Sequence, residues 1–172
     1  MPTSAPSAAD AVPADRPFLA GLDAIAWGDL SHAYGPATDV PGLLRSLFAG
    51  SAEEARELGR EPWSCINHQH SVYSATPAAV PFLAAGAAAR VHPARVLGLL
   101  AGIASSSDEQ GLPPGGARRA VADQAALLDP LLDDDDPAVR GAALRALLES
   151  GVLTADRVER RWSEETVRVR PG

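Results

Sequence analysis

The sequence predicts an all-α protein, a short right-handed α-solenoid of antiparallel helix pairs with about seven or eight helices. Three observations carry this expectation. Most segments are bracketed by helix start and stop signals. No stretch shows a sustained period-two alternation rich in Val, Ile and Thr. The candidate helices are short and joined by short, capped turns, the pattern of repeated helix pairs. A chain of 172 residues suits one domain, taken as 18–172 behind a disordered tail, 1–17, rich in Ala, Pro and Ser. Apolar residues make up 46% and aromatic ones only 5%. With alanine so abundant, the core must be built from small side chains.

The elements follow in order. A first short helix spans about Asp23 to Ser31, with Ile25, Trp27 and Leu30 for burial. Gly35-Pro36 ends the segment after it. A second helix runs from Asp39 to Ala49, with Thr38 as a candidate N-cap, Pro41 in the first turn and Gly50 past the end. Leu43, Leu44, Leu47 and Phe48 form its apolar stripe. Ser51 and Glu54 fit a capping box for a third helix, which Pro62 interrupts. NHQHSVYSA reads as a loop. Thr76 and Pro77 open a fourth helix, and His92-Pro93 separates it from a fifth, Ala94 to Ala104. Ser105 to Gly116 reads as a mobile loop. A sixth helix spans Ala117 to Leu132. Asp136-Pro137 caps a seventh that ends at Gly151, and Thr154 opens an eighth. With so few repeats the ends must cap the stack, with Trp162 inward and Arg160 and Arg161 wet.

Charge narrows the function classes. Asp and Glu number 22 against 15 basic residues, a net charge of −7. Such a chain is a poor default binder of nucleic acid or anionic lipid. Every basic residue is arginine, which excludes a Schiff-base lysine and a Walker-type phosphate loop. Cys65 alone excludes an internal disulfide framework. The first residues lack a secretory signal's basic and apolar regions. The longest apolar run, 78–89, is too short to span a bilayer. The expectation is a cytoplasmic protein with no membrane association and no cofactor.

Two longer phrases carry a resemblance. LSHAYGPATDVPGLLRSL and INHQHSVYSATPAAVPFLA resemble a group of bacterial HEAT-repeat proteins with H-A-Y-G-P-A-x-D-V-P and H-Q-x-x-x-Y-x-A-x-x-x-A-V-P-F-L. The likeness covers about residues 22–89. His70 stands where that group's usual glycine follows His-Gln. The run D-P-x-V-R-x-x-A-x-x-A-L, on Asp136, Pro137, Val139, Arg140, Ala143, Ala146 and Leu147, resembles the second-helix signature of HEAT repeats. The resemblance implies an α-solenoid, a binding role, and a polar ladder that includes Asp136 and Arg140.

In stacked helix pairs, alternate loops share one edge. That logic gathers His32, Tyr34 and Asp39 with His68, Gln69, His70 and Tyr73 as a candidate binding edge, and brings the Ser105–Gly116 loop beside them. Cys65, His68 and His70 form C-x2-H-x-H, with His32 as a fourth candidate zinc ligand. The spacing matches no common zinc motif. The plainer reading has the histidines bonding helix-end backbone groups and Cys65 packing as a small apolar residue. A Cys65–His68 nucleophile pair lacks the rest of a catalytic constellation. The aspartates 133–136 lack a calcium loop's spacing and read as a solvated capping turn. Arg157, Arg160, Arg161, Arg168 and Arg170, with interleaved glutamates, read as a solvated face.

The expected function is therefore a non-enzymatic binding module: an adaptor, immunity or regulatory protein whose partner is a protein, a basic one on charge grounds. Two alternatives come from other classes. A HEAT-like DNA glycosylase acting on alkylated bases would use Trp27, Trp63 and Asp39, but the acidic charge opposes it. A metal-binding regulator would use the Cys–His set.

Overall fold

The computed structural model describes residues 16–50 and 65–160. Residues 1–15 of the expected tail, the third helix with its Ser51–Glu54 box, Trp63, Arg161, Trp162, Arg168 and Arg170 lie outside the described residues.

The chain is not all-α. Among the described residues two small β-sheets accompany the helices, which overturns the expectation of a pure helical solenoid. Strands β1 (Ser31–His32) and β2 (Gly35–Pro36) form one antiparallel hairpin. β3 (Asn67–His68) and β4 (Ser71–Tyr73) form a second, and β5 (Asp108–Gln110) adds to it in parallel, in the order β3-β4-β5. Strands of two or three residues are too short for a period-two pattern to register. Residues 105–116, read as a mobile loop, instead carry β5 and a cap. The Glu109 carboxylate accepts from the Gly115 and Ala117 N–H groups at the start of the next helix.

Where the first helix was expected, Asp23 to Ser31, the chain makes two 3-10 turns, Leu22–Ala24 and Trp27–Asp29, before Ser31 enters β1, and a third turn, Pro17–Leu19, precedes them. Leu19, Leu22 and Trp27 are buried, and the Trp27 indole N–H donates to the Leu22 carbonyl. Helix α1 spans Val40–Ala49. Its Phe48 meets α2 (Ala75–Ala88) at Gly86, where an added Cβ would lie 2.3 Å from the Phe48 ring. Glycine is thus required there by close approach. Nine residues of α2 are buried, from Ala75 to Ala87, so this helix is apolar almost all round.

Helix α3 (Pro93–Ala104) packs against α2 and most extensively against α6 (Pro137–Glu149). Val96, Leu97, Leu100 and Ile103 bury between them, with Ala143, Ala146 and Leu147 of α6 permitting close approach. The expected sixth helix is broken into α4 (Gly116–Ala122), α5 (Ala125–Leu128) and a 3-10 turn, Asp129–Asp133, with Pro130 at the start of that turn. Residues 155–160 are helical. Arg160 is exposed there.

Asp136 caps α6, accepting from the Ala138 N–H at 2.8 Å. The implied polar ladder takes another form. Arg140 turns back onto the Asp134 and Asp135 carbonyls. Asp134, read as part of a solvated turn, is buried and holds Arg90 from the α2–α3 turn through both carboxylate oxygens. The Asp136 N–H donates to Asp134 as well. These donors hold the Asp134 carboxyl below its usual value, Arg90 contributing most, and the same pairing raises Arg90.

Candidate functional site

The two hairpins lie side by side. The Ser31 N–H donates to the Ser74 hydroxyl at 2.8 Å, and the two hydroxyls are 3.1 Å apart. The Ala33 N–H donates to the Cys65 carbonyl at 2.9 Å. Thr76, buried in the first turn of α2, accepts from the Tyr73 N–H and donates to the Ile66 carbonyl at 2.6 Å. One hydroxyl therefore ties both strands of the second hairpin to the helix beneath. The sequence marked Thr76 as a helix start; its reach back into the hairpin had no local signal, and neither did the Ser31–Ser74 link.

His32 is the buried member of the edge. Its Nδ1 accepts from the Tyr34 N–H at 3.0 Å, which leaves the proton on Nε2 for donation to Asp39 Oδ1 at 2.8 Å. Asp39 holds the N-cap position of α1 but makes no side-chain cap bond; its carboxylate is turned to His32 instead. With both ring nitrogens engaged, His32 has none left to serve as a general base. It latches the first hairpin to the start of α1.

Tyr34 stands on that latch and is 67% exposed. Its ring meets His32 edge-on at 6.0 Å and His68 of the second hairpin at 5.8 Å. The structure thus brings His32, Tyr34, Asp39 and His68 together. Gln69 and His70 form the exposed tip between β3 and β4, with φ of 50° and 68°. Two left-handed residues in a two-residue loop make a type I′ turn. Tyr73 is half-buried, pairs with Gln110 and makes no ring contact with Tyr34 among the described residues. Of the two candidate tyrosine anchors, Tyr34 alone is well exposed.

Cys65 lies buried under this edge. Its thiol is pushed up to about 11, first by burial and then by the Asp39 charge. A nucleophilic cysteine needs the thiolate, so that role is not favoured. Among the described residues no group of three or more His, Cys, Asp or Glu is placed to hold a metal ion. Trp27 is buried with its N–H bonded, so it offers no face on which a flipped base could stack.

Sequence reasoning missed Ser71 and Asp108. The Ser71 hydroxyl donates to Asp108 Oδ2 at 2.6 Å, and the Gln110 amide donates to Oδ1 at 2.6 Å. No protein-family model matches the chain, and neither a curated protein nor a solved structure gives a significant match. Among the described residues, no helix is long and apolar enough to cross a membrane.

Proposed function

We propose that this chain is a non-enzymatic protein-binding module that engages its partner through the hairpin edge, with Tyr34 as the anchor. The exposure of Tyr34 on a cross-braced support carries the reading. An aromatic side chain held by neighbouring rings loses little conformational freedom on binding, and tyrosine is enriched among residues that dominate interface energetics. The backbone beneath it is fixed by the His32 latch, the Ser31–Ser74 link and Thr76. The two phrases that resemble bacterial HEAT-repeat proteins fall on these two hairpins, which supports a binding role for this edge. Catalysis finds less support, since His32 is fully engaged and Cys65 is held as a thiol.

Photo-cross-linking in the native cell tests the proposal. p-Benzoylphenylalanine is placed at position 34 and, for comparison, at Leu127, an exposed apolar residue on α5. One discrete polypeptide adduct from position 34, missing from position 127, is expected. No adduct, or the same bands from both positions, overturns it.

A further inference from the structure

The binding edge is one continuous row of contacts across both hairpins and β5. Asp39 holds His32, whose ring meets Tyr34, and Tyr34 meets His68. His68 pairs with Ser71, which pairs with Asp108 and bonds its carboxylate. The row carries charge of one sign. Residues 31–39, 67–73 and 105–112 contain Asp39, Asp108 and Glu109 and no basic residue except histidine. Glu109 is engaged at the start of α4, while Asp39 and Asp108 are exposed. Asp39 gives one oxygen to His32; its second takes no protein partner among the described residues, and the side chain is 58% exposed. An exposed tyrosine thus stands between two exposed carboxylates, with no arginine in the row to neutralise them.

We infer that this row binds an extended, basic polypeptide segment, with one arginine or lysine over Tyr34 and further cations against Asp39 and Asp108. The inference rests on the reading of this edge as a protein-binding surface and adds the chemistry of its occupant. A cation over an aromatic face gains from the ring quadrupole, and flanking carboxylates fix the register of a chain whose cations are spaced to meet them. The Ser71 hydroxyl and the edges of the central rings supply further contact area along the row.

Fluorescence anisotropy with a labelled arginine–glycine repeat peptide at physiological salt tests this, with the glutamate–glycine peptide as the comparator. The arginine peptide is expected to bind and the glutamate peptide not. Tyr34→Ala should weaken binding about tenfold, while Tyr34→Phe, which keeps the ring, retains it. Asp108→Asn should weaken it about threefold. Asp135→Asn removes an exposed charge outside the row and should change nothing. Failure of the arginine peptide to bind overturns the inference, as does an unchanged Tyr34→Ala. So does equal weakening by Asp135→Asn and Asp108→Asn, which would show only a general attraction to an acidic protein. A discrete cross-link from position 34 to a partner without a basic segment would leave the binding edge standing and overturn its basic occupant.

Discussion

His70 shows how one residue records a local conflict. It occupies, with Gln69, the centre of a type I′ turn, and both have positive φ. A side chain in the left-handed region costs about 1–2 kcal/mol, and neither glutamine nor histidine has the short local hydrogen bonds that help asparagine there. Glycine removes the strain at an entropic cost of about 0.5–1 kcal/mol. We therefore expect His70→Gly to stabilise the protein by about 0.5–1 kcal/mol, read as a higher urea midpoint at an unchanged slope. A lower midpoint would show that the imidazole contributes more than the turn loses by carrying it. This position was legible in the sequence only through the resemblance, where a glycine is usual. Composition and periodicity alone read NHQHSVYSA as a loop, because the turn lacks the Asn-Gly signal that marks a hairpin. Cys65 is the converse case: its reading as a small buried residue needed only its chemistry, and the structure places it at 4% exposure.

At the scale of elements, the Asp134–Arg90 pairing ties the α2–α3 turn to the start of α6. Its carboxyl is held below the 3.8 of an unperturbed aspartate, so in acid the unfolded chain takes up this proton before the native state does. The stabilisation is therefore complete above the ordinary aspartate pKa and is lost as pH falls through the lower native value. Asp134→Asn should flatten the fall in melting temperature below pH of about 4, and Arg90→Gln should do the same. An acid limb that keeps its slope in both variants would show that other carboxylates set it. The helices on either side were legible: Pro93 and Pro137 open α3 and α6, and Asp136 caps the latter. The tie between them was not. Four consecutive aspartates look alike in sequence, and only packing against the neighbouring turn selects Asp134 for burial. The break between α4 and α5 was similarly hidden, since helical periodicity continues across Asp123 and Gln124.

At the scale of the molecule, helices α2, α3 and α6 form the apolar body, and the hairpins sit on it as an added polar edge. The helical body was legible because apolar runs, amphipathic stripes and caps are local signals. The nearness of His32, Tyr34, Asp39 and His68 was legible, since turn-forming sequences alternate with helices, but Ser71, Asp108 and the form of the edge were not. Its strands pair over long separations, and Asp-Glu-Gln of β5 carries no strand propensity of its own. This division predicts that support and contact separate on mutation. His32 is buried and uses both nitrogens; replacing it with alanine strands the Tyr34 N–H and leaves Asp39 without its partner. Loss of a buried partner costs about 1–3 kcal/mol, so His32→Ala should lower the melting temperature by several degrees. Tyr34 is mostly exposed and meets His32 and His68 edge-on, so Tyr34→Ala should cost about 1 kcal/mol through the ring contacts it removes, less than His32→Ala. If both variants are measured for melting and for binding to the partner, Tyr34→Ala should lose the partner at the smaller cost in stability, whereas His32→Ala should lose stability first. Equal melting losses would mean that the tyrosine ring serves chiefly as the fold's support, and its role as the anchor of the edge would fall.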